Sequence, residues 1–432
     1  MLERYFKLSA HQTSVQREVM AGVTTFLAMA YIVIVNPSIV ADAGMPFQAA
    51  LIATCISAAL ATALMGLWAN FPFALAPGMG LNAFFAYSVV LGSGVPWQTA
   101  LGAVFISGVL FLLLAVSRAR EAVINAVPLS LKYAIASGIG AFLTFIGLKN
   151  AGIVVGDPAT FVALGNFREP STLLATLGIL LTTFLVVKKV RGAILLGIVG
   201  TGLLAVPMGL AEFPDRLVAI PTLADWAPVL GELDIAAALS LGVGTIVFVF
   251  LFTDLFDSVG TFIGLAEKAG FLDEHGRLPR VQRALTADSI GTMAGAIFGT
   301  PTVTTYIESS AGISEGGRTG LTALVVAILF LLAPVFAPVV GAIPSAATAP
   351  ALVVIGAMMM SSVGKIAWDQ IETAIPAFLA MLAMPLTFSI ANGIFLAFIA
   401  YTFISLVTGK GIRENAVVHV LSLLFVLKFA LL

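Results

Sequence analysis

Two short stretches, one in each half of the chain, decide the fold of this protein. Residues 71–82 read FPFALAPGMGLN, and residues 300–309 read TPTVTTYIES. Proline removes a backbone donor and β-branched residues favour extended chain, so neither stretch is a good helix. Each is predicted to start as a short strand and to continue as a half-helix. Because non-helical backbone at membrane depth is tolerated only where it is buried or lines a cavity, the pair predicts a binding site.

The composition places these stretches in a lipid bilayer. The chain has 432 residues, of which 60% are hydrophobic and 10% are charged, whereas soluble domains carry about 25% charged residues. A net charge of −1 offers no basic field for nucleic acid, and a single cysteine, Cys55, excludes an intramolecular disulfide framework. We therefore predict an all-α polytopic membrane protein with no metal site, no cofactor and no nucleic-acid partner.

Apolar runs of roughly 20 residues are long enough to cross a bilayer, and the sequence contains about fourteen of them. They are residues 19–40, 47–69, 71–91, 97–117, 128–149, 171–187, 192–211, 237–266, 281–298, 300–314, 317–341, 344–364, 391–408 and 415–432. A further apolar stretch, 373–389, carries Pro376 and Pro385. That stretch could be an interfacial segment, a re-entrant segment or another span.

Basic residues set the orientation of the spans, because they collect on the cytoplasmic side. With the N-terminus inside, that side receives the basic residues of regions 4–17, 118–120, 188–191, 268–283 and 318. Lys410 and Arg413 fall on the opposite side and are the one misfit of this count. We predict a multi-pass protein of the plasma or inner membrane with a cytoplasmic N-terminus.

Internal similarity between the two halves predicts a repeat. The pairs Val127-Pro128 and Gly140-Ala141 recur at one constant offset as Ile343-Pro344 and Gly356-Ala357. Seven spans in each half is an odd number, so the second copy must insert upside down, as in secondary transporters. The predicted units are a first repeat over 1–216, a connecting loop over 217–236 and an inverted repeat over 237–432.

Four acidic residues have no basic partner beside them within the spans. Asp254 and Asp257 lie on one helical face at i, i+3, Asp288 lies early in the next span, and Glu308 belongs to the second proline-containing stretch. An ionisable side chain within a span is costly and is a functional candidate by default. The alternative is that one of these acids only caps a broken helix or bonds Ser and Thr hydroxyls. Close carboxylates in a low dielectric repel each other, so at least one is expected to carry a proton near neutral pH.

At these motifs the chain resembles a known family. Residues 74–85 closely resemble a signature of AzgA-like purine permeases, the adenine or guanine/hypoxanthine/xanthine carriers of the nucleobase:cation symporter-2 superfamily. Residues 253–261, 304–312 and 376–393 are similar as well. The resemblance implies core and gate domains, each built from both repeats, and proton-coupled uptake of a purine nucleobase. Dimers occur among relatives, so it also implies a homodimer.

The resemblance carries roles onto single positions. The third-span asparagine of the family corresponds to Asn82, the eighth-span acidic pair to Asp254 and Asp257, and the tenth-span acid to Glu308. Asp288 matches a ninth-span aspartate of the wider superfamily. Asn82 could bond the ligand or the start of the half-helix.

From these positions we predict a binding site for the base. Asp257 and Glu308 are expected to bond the base edge, one as a protonated donor and the other as an acceptor. Strand backbone near Phe73 and Ile307 would add further bonds, and Phe73 could stack on the ligand or simply pack. Asp254, Asp288 and Glu308 are the candidates for proton coupling.

Two other functions stay open at this stage. A carrier of sulfate or bicarbonate with the same fold would be expected to place positive charge at the site, and none is visible. An intramembrane aspartyl protease places its aspartates on two helices, whereas Asp254 and Asp257 share one helix face. Where the nucleobase–ascorbate branch has glutamine-asparagine, this chain reads Glu308-Ser309, which favours the AzgA-like branch.

Overall fold

The computed structural model describes residues 2–117, 127–239, 244–273, 278–409 and 416–431. Arg118, Arg120, Arg277, Lys410 and Arg413, which contribute to the predicted orientation, lie outside these residues. The described chain is mostly helical and carries two sheets of two strands each. The predicted helical membrane class is therefore confirmed.

The helices follow the apolar runs of the sequence. The α-helices are Leu2–Phe6, Val15–Met29, Ile32–Asp42, Phe47–Leu64, Met79–Ala83, Trp97–Val116, Leu129–Asn150, Pro170–Val187, Ala193–Ala205, Leu223–Trp226, Ile235–Ala238, Gly244–Ala269, Val281–Phe298, Ser309–Ser314, Gly320–Leu332, Ala337–Gly341, Ser345–Met359, Ile371–Leu386, Ile390–Thr408 and Ala416–Leu431. Wider π-helical turns form Met65–Ala69 and Phe84–Gly92, and tighter 3₁₀ turns form Ala333–Phe336 and Met360–Lys365.

Nine helical segments of the described residues are long and apolar enough to cross a membrane. Each of the nine lies on one of the predicted runs, with ends that differ by a few residues. Shorter apolar helices occupy Met79–Gly92, Ala193–Ala205 and Ile371–Leu386. The last of these is the stretch that the sequence left open. It is a continuous helix despite Pro376 and Pro385, and it packs on Ile390–Thr408 and Leu129–Asn150.

The helices pack into two groups, and each group takes helices from both halves of the chain. The first helix body consists of Val15–Met29, Ile32–Asp42, Phe47–Leu64, Trp97–Val116, Gly244–Ala269, Val281–Phe298, Ser309–Ser314 and Gly320–Leu332. The second helix body consists of Leu129–Asn150, Pro170–Val187, Ala193–Ala205, Ser345–Met359, Ile371–Leu386 and Ile390–Thr408. Helices of one body contact mainly one another.

Small residues allow the helices of the second body to pack closely. Gly140 and Gly356, the pair that marks the internal repeat, lie against each other. A Cβ atom built on Gly140 would lie 2.6 Å from the carbonyl oxygen of Gly356, and one on Gly356 would meet the carbonyl oxygen of Gly140. Lipid tails are as apolar as leucine, so close backbone packing replaces the hydrophobic effect between membrane helices.

The two proline-containing stretches meet in the first helix body as a pair of short strands. β1 (Leu75–Pro77) pairs antiparallel with β4 (Val303–Thr305), and all six residues are buried. The partners are Leu75 with Thr305, Ala76 with Thr304, and Pro77 with Val303. Gly78 follows β1 because a Cβ atom there would lie 2.5 Å from Cγ2 of Thr304. Each strand leads into a half-helix, Met79–Gly92 or Ser309–Ser314.

A β-hairpin and a polar connection lie outside the helix bodies. β2 (Val154–Asp157) pairs with β3 (Phe161–Leu164) between the helices Leu129–Asn150 and Pro170–Val187. The predicted connecting loop over 217–236 contains the short helix Leu223–Trp226.

The first membrane helix starts earlier than the sequence indicated, at Val15 rather than near Val19. Glu18 is consequently buried, although it reads as part of a polar N-terminal segment. Its carboxylate accepts the backbone N–H groups of Arg318, Thr319 and Thr322 at 2.9–3.2 Å. A carboxylate at a helix N-terminus is favourable because it satisfies free N–H groups, so Glu18 caps the helix Gly320–Leu332.

Candidate functional site

Asp257 is an exposed carboxylate in the middle of an apolar helix. On the helix Gly244–Ala269, the exposed positions after Asp257 include Gly260, Ile263 and Glu267. Spacings of three and four residues place them on one face, so an open face runs from Asp257 to the Ala269 end. Between Val249 and Leu255 the helix is largely buried. Asp257 therefore lies at the inner end of an exposed face that runs to the Ala269 end of this helix.

The strand pair supplies the groups next to Asp257. Its Oδ2 atom accepts a hydrogen bond from the Thr304 hydroxyl at 3.3 Å. Ile307, two residues beyond β4, is 51% exposed, and its Cδ1 atom lies 3.9 Å from where a Cβ of Gly264 would be. The segment after β4 therefore faces the open side of the Asp257 helix.

Glu308 is half-buried and directly precedes the half-helix Ser309–Ser314. Its Oε1 atom accepts a hydrogen bond from the Tyr31 hydroxyl at 2.7 Å. The neighbouring Ser309 hydroxyl accepts the backbone N–H of Ala74 at 2.9 Å, which ties this turn to the segment leading into β1. Glu308 is thus held from two other parts of the chain.

Asp254 and Asp288 are buried behind the open face. The Thr292 hydroxyl donates to Oδ2 of Asp254 at 3.1 Å and lies 2.8 Å from the carbonyl oxygen of Val303. Asp288 accepts hydrogen bonds from the hydroxyls of Ser258 and Thr305. Within the described residues, Oδ1 of Asp254 has no hydrogen-bond partner. Among the described residues, each side chain that donates a hydrogen bond to one of the four acids does so through a hydroxyl group.

Asn82 and Phe73 lie deeper than the predicted binding roles require. Asn82 is fully buried, and its Nδ2 donates to Oδ1 of Asn36 at 2.6 Å. Asn36 in turn donates to the hydroxyls of Thr54 and Thr300. Direct contact between Asn82 and a ligand would require the amide to leave this network.

Phe73 is also fully buried. Its ring stacks on Phe71 with the centroids 5.0 Å apart, and Phe262 and Phe271 lie beside it. In this conformation the Phe73 ring packs within the protein and has no exposed surface.

Several residues of the site are missing from the sequence-based prediction. Tyr31, Asn36, Ser258 and Thr292 bond the predicted residues from distant parts of the chain. The β-branching of Thr304 and Thr305 predicts extended backbone, and their hydroxyls bond Asp257 and Asp288. These bonds correspond to the alternative that an acid within the spans bonds Ser and Thr hydroxyls.

Side-chain contacts join the two helix bodies at two places. Ser88 donates to the carbonyl oxygen of Phe388 at 2.9 Å. The Asn150 amide donates to the Tyr87 hydroxyl at 3.1 Å, and this hydroxyl donates to Asp42 at 2.6 Å. Another pair, Arg191 and Glu315, forms a salt bridge between the bodies. The two bodies are therefore joined both near Tyr87 and near Glu315.

Comparisons with known proteins identify the family of this chain. The model of a family described as "Permease family" matches residues 16–420. The chain is 45% identical to the adenine permease AdeP of Escherichia coli over 99% of this chain and 96% of that protein. It is 44% identical to the guanine/hypoxanthine permease PbuO of Bacillus subtilis over 99% and 100%, respectively.

A solved structure supports the fold alone. The transmembrane domain of the cyanobacterial bicarbonate transporter BicA superposes with a TM-score of 0.65 at 17% identity, covering 87% of this chain and 97% of that one. The sequence match over 16–420 goes further than the shared fold. The chain belongs to the Permease family.

Proposed function

We propose that this protein imports a purine nucleobase by proton symport. The observation that carries the proposal is Asp257, an exposed carboxylate in the middle of a membrane helix, in a chain similar to adenine and guanine/hypoxanthine permeases. A charged group at that depth is costly, so an ionisable residue there usually marks a functional site. A purine base offers both hydrogen-bond donors and acceptors on its edges, so it suits carboxyl groups that can change protonation state.

In the proposed site, Asp257 and Glu308 bond the edge of the base. One carboxyl acts as a protonated donor and the other acts as an acceptor. Ile307 and the backbone of the strand pair complete the pocket. Asn82 and Phe73 are buried behind it in this conformation, and we propose that they support the strand pair rather than contact the base.

Coupling to protons is assigned to Asp254 or Asp288, together with Glu308. Asp254 and Asp288 connect the helix Gly244–Ala269 to Val281–Phe298 and to β4 through hydroxyl groups. Adding or removing a proton changes which of these bonds can form. Protonation would therefore alter how the binding helix is held within the first helix body.

The proposed architecture is an inverted repeat of seven plus seven spans, with repeats over 1–216 and 237–432. Ile371–Leu386 and Ile390–Thr408 then become the last two spans, and Ala416–Leu431 follows them. Two features support the symmetry: the Gly140–Gly356 contact and the strand register. Aligning Pro72 with Pro301 puts Leu75 on Thr304 and Ala76 on Thr305, and the pairing is then the same from either copy.

This count also improves the charge balance, because Lys410 and Arg413 now follow a span that ends on the side of the N-terminus. We propose that this side is cytoplasmic. The two helix bodies would be the core and gate domains, and the face from Asp257 to Ala269 would open to the cytoplasm. A homodimer stays a prediction.

The other two functions are less well supported. BicA shares the fold, but an anion carrier would be expected to present positive charge, and the described side-chain partners of the four acids are neutral hydroxyls. A permease moves its solute without converting it, so the family also disfavours the protease.

Uptake into proteoliposomes tests the proposal. We expect radiolabelled adenine, guanine or hypoxanthine to accumulate when the outside is acidic and a protonophore to prevent this accumulation. Unlabelled purines should compete, whereas sulfate and bicarbonate should not. The proposed function would be contradicted if the proteoliposomes took up an anion, or if they took up no purine in the presence of a pH gradient.

A further inference from the structure

Tyr31 lies where the first membrane segment is interrupted. The helix Val15–Met29 ends just before it and Ile32–Asp42 begins just after it. Tyr31 is 1% exposed, and a buried tyrosine hydroxyl needs a hydrogen-bond partner. Its partner is Oε1 of Glu308 at 2.7 Å, from the other half of the chain. The break between the two helices thus places the phenol of Tyr31 directly against the carboxyl of Glu308, a candidate binding group.

The direction of this bond limits what Glu308 can do. The Tyr31 hydroxyl donates, so Oε1 acts as an acceptor, and a proton carried by Glu308 belongs on Oε2. The bond between Ser309 and the N–H of Ala74 fixes the turn itself. The backbone of this turn and the carboxyl of Glu308 are thus held by separate hydrogen bonds. Such support keeps a binding group in one geometry.

We propose that Tyr31 is a positioning residue that orients the carboxyl of Glu308, so that Oε2 is directed to the base and receives the coupled proton. This inference rests on the proposed purine transport. It adds a side chain of the first segment to a site whose other proposed binding side chains, Asp257, Ile307 and Glu308, belong to the second half of the chain. A tyrosine that merely fills space there would affect folding and leave affinity for the base unchanged.

Tyr306 offers a matched control. It is also buried, at 4% exposure, and its hydroxyl donates to the carbonyl oxygen of Pro77 instead of a carboxylate. Tyr31→Phe and Tyr306→Phe therefore remove the same atom from the same residue type. Both should lower the melting temperature of the detergent-purified protein by similar amounts, because each leaves one acceptor within the protein without its donor.

The test is equilibrium binding of radiolabelled adenine, guanine and hypoxanthine to both variants and the wild type. Tyr31→Phe is expected to weaken binding about tenfold, the upper end of what one hydrogen bond contributes, whereas Tyr306→Phe should change it less than about twofold. Equal losses in both variants, or full affinity in Tyr31→Phe, would overturn the positioning role.

Infrared difference spectra of the ligand-free protein separate this inference from the proposed function. A carboxyl band that disappears in Glu308→Gln is expected to move to higher frequency in Tyr31→Phe and to stay in place in Tyr306→Phe. If the wild type binds no purine but the band moves, the function is wrong and the orienting bond stands. A band that is unmoved in Tyr31→Phe contradicts the inference whichever substrate is carried.

Discussion

The two strand-bearing segments have equivalent places in the two halves of the chain, but their side chains differ. Aligning Pro72 with Pro301 sets Met79 against Glu308 and Asn82 against Ala311. Met79 is 6% exposed and apolar, whereas Glu308 is half-buried beside the exposed Ile307. The first copy contributes backbone and a buried amide network, and the second contributes an ionisable group. A symmetric backbone thus carries asymmetric chemistry, and substitutions in the two copies should have different consequences.

The largest effect is expected at Glu308. Glu308→Gln keeps the shape of the side chain but cannot gain or lose a proton, so accumulation of purine under a pH gradient should be abolished. Glu315→Gln is the control in the same segment, because Glu315 ends the half-helix and pairs with Arg191. It should retain uptake within about twofold, since exposed ion pairs contribute little. Uphill accumulation by Glu308→Gln in proteoliposomes would contradict the assignment.

In the first copy, Asn82→Ala should affect stability more than binding. The substitution leaves the buried Oδ1 of Asn36 without its donor, at a cost of about 1–3 kcal/mol. Thermal unfolding of the purified protein should show the loss, while the affinity of the folded variant for the base stays close to wild type. A variant with wild-type melting and no binding would instead indicate that Asn82 contacts the base.

Where the two copies are alike, substitutions should act alike. Gly140→Ala and Gly356→Ala each push a methyl group toward the carbonyl oxygen of the other glycine, and overpacking of this kind costs about 1–3 kcal/mol. We expect comparable drops in melting temperature for the two variants. A large drop in one and none in the other would argue against a two-fold relation between these helices.

The smallest effect is expected from Thr304→Val, which keeps the β-branched shape and removes one hydroxyl. The variant loses the bond to Asp257 and the contact with Ser258. A neutral hydrogen bond contributes about 0.5–1.5 kcal/mol, so the KM for purine uptake should rise a few-fold, with little change in melting. An unchanged KM would mean that Thr304 does not orient Asp257.

The sequence predicted the membrane class, most spans and the extended character of both proline-containing stretches, because these follow from local composition. The strand register and the partners of Glu18 and Glu308 could not be predicted in the same way. Thr322 and Tyr31 lie 304 and 277 residues from those acids, and nothing local indicates such a pairing. Ile371–Leu386 was ambiguous because two prolines within an apolar run are typical of several membrane structures.

The site shows the same division between local and long-range information. The i, i+3 spacing predicts that Asp254 and Asp257 share one helical face, and this is correct. The spacing does not indicate how deeply each side chain is buried. The structure buries Asp254 against Thr292 and exposes Asp257. The difference arises from the neighbouring helix Val281–Phe298 and the strand pair, so it is a property of packing.

The most direct test of the account is the proton movement that accompanies the base. Proteoliposomes that contain a pH-sensitive dye should acidify inside when adenine, guanine or hypoxanthine is added outside, and vesicles with Glu308→Gln should not respond. Uptake of purine by the wild type without acidification would contradict proton symport. Acidification by Glu308→Gln equal to that of the wild type would contradict the role given to the second copy.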